Sequence, residues 1–367
     1  MDFIKRRSKI IDAYIIGKYL GTFVYTLAVF VVVIIIFDLS EKLDDFLGND
    51  MTAWEIVSQY YAGSIPFYVN MLSPLMNFIA VIFFTAKMAD QTEIVPILSG
   101  GVSFNRFLRP YFISAFIIFA INLAANLYML PYTNKIKNAF ENQVIKKNDP
   151  YTKSNIHMKI DENTYIYIDN FDNRSNIGYK FSLDRFKGDV LEKKLVAEQI
   201  SYDSLKRVWK LTNYSIRNIK DLKENMVYAN TKTKDTVLDM KPDDFSVYDN
   251  VVESMTDKEL ADKIDKEKIR GSGVMNDLLF EQYKRYIQPL SAFVLTLIGV
   301  ALSSRKVRGG VGLPLGIGIV LSFLFIVLNQ FAKMFSTKGG LPPLLANLLP
   351  VLLFGLLGLY LLRKAPK

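Results

Sequence analysis

The sequence is poor in the residues that most often build metal and redox sites. Among its 367 residues there is no cysteine and only one histidine, His157. The absence of cysteine excludes disulfides and leaves the redox compartment open. One histidine cannot supply a histidine-rich zinc site of the H-E-x-x-H kind. Because His157 stands alone in a polar segment, we expect it to be a surface residue and not a ligand.

Motifs for nucleotide binding and hydrolysis are missing as well. The chain contains no G-x-x-x-x-G-K-[ST] and no G-x-S-x-G, so it has neither a P-loop nor a nucleophile elbow. The glycine-rich run that begins at Gly309, GGVGLPLG, lacks the lysine and is interpreted as a turn leading into an apolar span. The sequence therefore predicts a conduit or a scaffold, not an enzyme, with no cofactor of its own.

Long apolar runs dominate the rest of the chain, which is 50% hydrophobic and 22% charged. A helix of about 20 apolar residues crosses the hydrocarbon core of a bilayer. Hydropathy predicts six such spans, at about Tyr14–Phe37, Ile56–Ala86, Phe107–Leu130, Tyr286–Leu302, Val311–Phe331 and Leu344–Leu362. The first run is too long for a signal peptide. The predicted organisation is three spans in residues 1–130, a polar domain in 131–280 and three spans in 281–367.

Basic residues lie beside the apolar runs. The net charge of +9 would suggest nucleic acid in a soluble protein, but topology explains it in a membrane protein, so we expect no nucleic-acid partner. Cytoplasmic loops are enriched in lysine and arginine. The short basic segments here are Lys5–Lys9, Lys87 with Arg106 and Arg109, Arg305–Arg308 and Arg363–Lys367. They predict cytoplasmic termini, a cytoplasmic loop after the second span and an extracytoplasmic polar domain.

The polar domain has the alternation of β-strands. The runs TYIYIDNF (Thr164–Phe171), LVAEQISYD (Leu195–Asp203) and VWKLTNYSIRNI (Val208–Ile219) have a period of two and are separated by turn residues. This pattern predicts an all-β sandwich. A capping box at Thr256–Glu259 predicts a short helix that ends near Ile269, before Gly271. The predicted fold class is an α+β membrane protein with an inserted β domain.

A short polar segment, QTEIVPILSGGVSF (Gln91–Phe104), separates the second and third spans. Thr92 can cap a helix with Glu93 in its first turn, and Pro96 is tolerated only near a helix start. One glycine of the Gly100–Gly101 pair can provide a left-handed stop. The apolar stripe of this helix is Ile94, Ile97 and Leu98. Two interpretations remain open: a linker lying on the bilayer, or a knob that docks in a groove of a cytoplasmic partner.

Polar side chains inside the spans mark helix contacts or a cavity. Asn70 and Asn77 share one helical face, as do Asn122 and Asn126, and we expect hydrogen bonds between packed helices. Near the outer end of the fifth span, Asn329 and Gln330 are open to the same interpretation. Lys333 in that span, and Lys42 at the outer end of the first span, could contact a lipid phosphate or reach to the interface.

The segment T-E-I-x-P-I-x-S-G-G-V-S (Thr92–Ser103) resembles the coupling helix of the LptF/LptG family, the permease subunits of the lipopolysaccharide-export ABC transporter. The Q-P-L at Gln288–Leu290 favours the LptG type of subunit over the LptF type, although either identity remains possible from the sequence. The resemblance covers essentially the whole chain, through Ile11–Phe23, Ala197–Asn213, Glu281–Phe293 and Gly339–Pro350.

The resemblance implies a mechanism and a set of partners. A second six-span permease would complete a heterodimer in a Gram-negative inner membrane, and a cytoplasmic ATPase dimer would bind ATP and drive it. Lipopolysaccharide would enter from the outer leaflet between spans one and five. It would then follow a periplasmic β-jellyroll to a bridge recruited by a single-span protein.

The resemblance also implies roles for particular residues. The ATPase contact would be made by Glu93, Thr92, Ile94, Ile97, Leu98 and Gly101. Basic residues near the outer end of span one contact lipid phosphates in the family. Here SEKLDDFLG (Ser40–Gly48) has one lysine, Lys42, and several acids, which departs from that pattern. Lys333 and Asn329 are the other expected lipid contacts.

Two further interpretations belong to other classes of protein. The chain could be a membrane scaffold that anchors periplasmic partners through its β domain. It could instead be a mechanotransmission subunit of an ABC system that moves periplasmic machinery and carries no lipid. Lipid crosslinking within spans one and five separates the last of these from a permease.

Overall fold

The computed structural model describes residues 2–49, 51–141, 144, 152–172, 175–220, 223–245, 248–270, 274–307 and 310–364. It divides into two compact units. The first is Met1–Ile145 together with Leu279–Lys367, and the second is Lys146–Leu278. Arg308, Gly309, Gly271 and Lys367, which entered the sequence predictions, lie outside the described residues.

The helices of the described chain confirm the predicted arrangement of three spans, an insertion and three spans. Six of them are long and apolar enough to cross a membrane. In chain order the helices are α1 (Asp2–Gly48), α2 (Ala53–Asp90), α3 (Ile94–Ser99), α4 (Phe104–Phe140), α5 (Tyr248–Ser254), α6 (Asp257–Arg270), α7 (Met275–Ser303), α8 (Gly312–Lys338) and α9 (Pro343–Lys364). The short helices are α3, α5 and α6.

Helix α4 extends ten residues beyond the predicted end of the third span. Its last part, Leu130–Phe140, is amphipathic, so the average hydropathy falls although the helix continues. Phe140 is buried and packs on Phe46 of α1 and Tyr60 of α2. Burial of one helical face is enough to extend a helix past the end of its apolar run.

The core of the first unit joins α1, α2, α4 and α7. Ile15, Tyr19, Met76 and Tyr111 are completely buried in it. Helices α8 and α9 pack through Phe325 and Phe354, whose ring centroids are 5.0 Å apart.

Helix α2 approaches α4 very closely at Gly63. A Cβ atom at this position would lie 2.7 Å from the backbone oxygen of Thr133 and 2.8 Å from the backbone nitrogen of Lys137. Small residues allow such close helix contacts in membranes. The crossing of α2 and α4 therefore requires glycine at position 63.

The described part of the second unit contains one antiparallel sheet of six strands in the order β1-β2-β3-β4-β5-β6. The strands are β1 (Thr152–Asp161), β2 (Thr164–Asp172), β3 (Ile177–Lys187), β4 (Val190–Asp203), β5 (Val208–Lys220) and β6 (Lys223–Thr236). The β domain is confirmed. The described strands nevertheless form an open meander instead of the two-sheet sandwich or the jellyroll that we expected. Alternation shows that one face of each strand is buried, but not whether a second sheet covers that face.

The buried face of the sheet is covered by the chain that follows β6. Trp209 is 1% exposed, and its indole N–H donates to the backbone oxygen of Met240 at 2.9 Å. Phe245, in a short 3-10 turn, packs on Trp209 and Phe171. On the opposite face His157 is exposed and lies against Tyr167, so its predicted place on the surface is confirmed.

The capping box that starts α6 is also confirmed. The Thr256 hydroxyl accepts from the backbone N–H of Glu259, and the Glu259 carboxylate accepts from the backbone N–H of Thr256 at 2.8 Å. The helix ends at Arg270, one residue from the predicted end.

Candidate functional site

The loop between α2 and α4 contains the six-residue helix α3, bracketed by two left-handed residues. Thr92 has φ +58° and Gly101 has φ +84°, so the predicted stop is confirmed at the second glycine of the pair. The prediction that Thr92 caps the helix is wrong. Its hydroxyl donates to the backbone oxygen of Gln91 at 2.7 Å, and Glu93 takes the N-cap position without a side-chain cap. Side chains that cap a helix typically do so from extended backbone, whereas Thr92 is left-handed.

The apolar stripe of α3 packs onto the membrane unit. Ile94 is 2% exposed, and Ile97 and Leu98 pack against the same core cluster. Val95, 61% exposed, and Pro96 face away from that core. The stripe therefore holds α3 on the bundle. The exposed residues of the helix are Val95 and Pro96, which form its Val95–Pro96 tip, and Ser99.

Helix α1 contacts the chain on both sides of α3, in the loop before it and in the first turn of α4 after it. Before α3, the Tyr14 hydroxyl donates to Glu93 Oε2 at 3.0 Å. After α3, the Arg106 guanidinium donates to both carboxylate oxygens of Asp12, at 2.8 and 2.6 Å. Bidentate pairs of this kind fix orientation as well as distance. Glu93 is thus an acid at the head of α3 whose carboxylate is oriented by α1.

A third contact comes from the chain that follows α7. Lys306 Nζ donates to the backbone oxygen of Asp90, the last residue of α2, at 3.1 Å. Lysine is favourable there because the C-terminal end of a helix carries partial negative charge. The loop is therefore attached to α1 and to the segment between α7 and α8.

A buried polar cluster at the other end of α1 contains Lys42. Asp38 is 7% exposed and its Oδ1 accepts from Lys42 Nζ at 2.7 Å, from the Tyr60 hydroxyl at 3.0 Å and from the Tyr68 hydroxyl at 2.8 Å. Lys42 also contacts the Tyr60 hydroxyl directly and lies 4.7 Å from that ring centroid. Asp38 Oδ2 is buried and has no hydrogen-bond partner among the described residues.

This cluster was not predicted from the sequence. The i, i+4 spacing of Asp38 and Lys42 at the end of an apolar run was the signal that could have found it. The tyrosines that complete it had no local signal. Tyr60 lies on a π-helical turn of α2, Ile56–Tyr61, and such turns are frequent at functional sites.

The other expected lipid contacts lie on α8. Lys333 is half-buried and makes no ion pair within the described part of the chain. Asn329 donates to the backbone oxygen of Phe325 at 2.8 Å, while Gln330 is exposed. Of the basic residues expected at the two outer span ends, Lys42 is thus already paired and Lys333 is not.

The asparagines of the second and third spans hydrogen-bond between helices, as predicted. Asn70 Nδ2 donates to Asn126 Oδ1 at 3.2 Å, and Asn122 Nδ2 donates to Ser73 Oγ at 2.8 Å. Asn77 accepts from the Tyr19 hydroxyl at 2.6 Å.

Comparison with known proteins gives one family for nearly the entire chain. The family described as "Lipopolysaccharide export system permease LptF/LptG" matches residues 13–364. Lipopolysaccharide export system permease protein LptG of Escherichia coli (strain K12) is 20% identical over 309 residues, covering 82% of this chain and 83% of that protein. The LptG protein of Haemophilus influenzae is 22% identical over 376 residues, covering 96% and 98%.

Proposed function

Since the chain belongs to the LptF/LptG family of lipopolysaccharide export system permeases, a family of transporter subunits in the inner membrane, we propose that a separate ATPase drives it. We further propose that ATP binds to a dimer of that ATPase on the cytoplasmic side, not to this chain. The other half of the transporter would be a second six-span permease, with this chain as the LptG half. The LptG names of both relatives favour that assignment.

The geometry of α3 carries this proposal. A helix that docks on a partner and transmits its motion must expose a contact surface and must be held rigidly on the membrane helices. The Val95–Pro96 tip is exposed, and Ile94 is buried beneath it. The hydrogen bond from Tyr14 attaches the loop to α1, and the Asp12–Arg106 pair attaches the start of α4 to the same helix. In our proposal Thr92, Glu93 and Gly101 lie at the rim of the contact, and Ile94, Ile97 and Leu98 support it from below.

We propose the route of the lipid from the chain's membership of the LptF/LptG family. Both termini would be cytoplasmic and the β unit periplasmic, so that lipopolysaccharide leaves the outer leaflet and passes along the sheet to a bridge, with a single-span partner beside the permease. Lys333, half-buried and unpaired among the described residues, is the proposed phosphate contact on α8, together with Asn329. Lys42 is less available for that role, because its ammonium already donates to Asp38 and to the Tyr60 hydroxyl.

Glu93→Ala is expected to lower the amount of lipopolysaccharide released per ATP hydrolysed by about tenfold, while the complex still assembles. A tenfold change lies within the usual range for coupling between two sites. The measurement is release from proteoliposomes alongside phosphate production. Tyr14→Phe is the matched control, because it removes the internal hydrogen bond and keeps the carboxylate. If release per ATP falls in Glu93→Ala but not in Tyr14→Phe, the carboxylate contacts the ATPase. If it falls equally in both variants, the carboxylate serves to attach the loop to α1. Normal release per ATP by Glu93→Ala would contradict the proposed role.

Co-purification in mild detergent tests the broader proposal. We expect the tagged chain to elute with an ATPase at about two copies and with a second six-span protein. Val95→Asp, which places a charge on the exposed tip, is expected to reduce the ATPase in that preparation severalfold, since an unpaired charge in a packed interface is costly. A chain that elutes alone, or only with periplasmic proteins, would favour a scaffold.

A further inference from the structure

A groove runs along the outside of the membrane unit between α4, α7 and α9. Its volume is about 750 Å³, and eight of its ten lining residues are apolar. Phe112, Phe116 and Phe293 form an aromatic wall, with the rings of Phe112 and Phe293 stacked at 6.5 Å. The two polar lining residues are Asn105 and Arg109, and the lining contains no acid.

The polar residues are gathered at one end of the groove. Asn105, Arg109, Phe112 and Phe116 follow one another at spacings of three and four, so they share one face of α4. That face therefore passes from an amide and a guanidinium to two phenyl rings. From residue 105 to 116 the helix rises about 16 Å, close to half of a hydrocarbon core of about 30 Å.

No described residue neutralises the charge at this end of the groove. Arg109 is exposed and has neither an ion pair nor a hydrogen bond with any described residue. Asn105 is exposed too, with no hydrogen bond to the described chain. On α9, Arg363 and Lys364 follow directly after the lining residue Leu362. The nearby arginine of the same helix, Arg106, is by contrast bound to Asp12. A free guanidinium with further basic residues close by favours an oxygen-rich anion.

We propose that this groove binds one anionic phospholipid of the leaflet on the α3 side of the membrane. The phosphate would sit at Arg109 and Asn105, and the acyl chains would lie along the aromatic wall. A transmembrane helix fits less well, because it would need a groove through both leaflets, whereas the polar-to-apolar face covers one. This site is separate from the proposed contacts at Lys333 and from α3, and it does not depend on the route of the exported lipid.

The test is native mass spectrometry of the full-length chain in detergent with dioleoylphosphatidylglycerol or dioleoylphosphatidylcholine. We expect one phosphatidylglycerol to be retained, and Arg109→Gln to lower its affinity about fivefold, the effect of one basic residue at an anionic lipid surface. Phosphatidylcholine binding should not change. Arg305→Gln is the matched control: Arg305 is also an exposed arginine, and the charge change is identical. Thermal unfolding of each variant checks that it is folded.

Ile113→Trp provides a second, independent variant. Ile113 lines the groove and is 47% exposed, so a larger side chain would fill the path of an acyl chain without entering the core. It should weaken binding of phosphatidylglycerol while leaving Arg109 in place. The proposal is overturned if Arg109→Gln keeps its preference for phosphatidylglycerol, if Arg305→Gln loses as much, or if Ile113→Trp binds the lipid like the unaltered chain.

Discussion

Removing either partner of the Asp38–Lys42 pair is expected to destabilise the protein by about 3 kcal/mol, because a buried charge is left without its counter-ion. In Lys42→Met, the Asp38 carboxylate keeps only two tyrosine donors, and one of its oxygens already has no partner among the described residues. In Asp38→Ala, the ammonium loses its anion and retains the Tyr60 ring.

The double variant Asp38→Ala/Lys42→Met should cost far less than the sum of the two single changes, since it leaves no unpaired charge. Equilibrium unfolding of the four proteins in detergent gives the coupling free energy. Lys338→Met, at the exposed end of α8, removes the same charge from a solvated position and should change stability little. Strictly additive losses would show that the pair does not act as a unit.

A methyl group at Gly63 should have a similarly large effect. Gly63→Ala places Cβ 2.7 and 2.8 Å from backbone atoms of α4, which cannot rotate away as a side chain can. Overpacking typically costs 1–3 kcal/mol, and we expect about 3 kcal/mol here because two helices must separate.

Gly21→Ala is the control for Gly63→Ala. A Cβ atom at Gly21 on α1 would meet nothing within 4 Å. Alanine there should be neutral or stabilise the helix by up to about 1 kcal/mol. Thermal unfolding of both variants of the purified chain makes the comparison. If Gly63→Ala unfolds at the temperature of the unaltered chain, the close approach of α2 and α4 is not as tight as described.

Local patterns predicted the elements of this fold well, and long-range partners poorly. The span count, the stop at Gly101 and the asparagine faces all follow from period and spacing. The hydrogen bond between Tyr14 and Glu93 joins residues 79 apart, and the Asp12–Arg106 pair joins residues 94 apart. No local rule couples such positions, although both pairs determine how α3 is held.

The errors have a common physical origin in packing. Threonine is a favoured N-cap residue, but the turn into α3 places Thr92 in the left-handed region. The average hydropathy of Leu130–Phe140 is too low for a membrane span, yet the burial of Phe140 extends the helix. Asp38 stands at the end of an apolar run with no local sign of burial, but it is covered by tyrosines from α2. In each case tertiary contacts outweighed the local preference.

The length of helix α1 allows it to transmit motion mechanically. Its 47 residues form one uninterrupted rod of about 70 Å at 1.5 Å per residue, more than twice the thickness of a hydrocarbon core. Asp12 and Tyr14 hold the loop near one end, and Asp38 and Lys42 lie about 40 Å away toward the other. A stiff rod that pivots between these points is a lever: a push at one arm appears at the opposite arm as a displacement of reversed direction, without any chain of side-chain rearrangements between them.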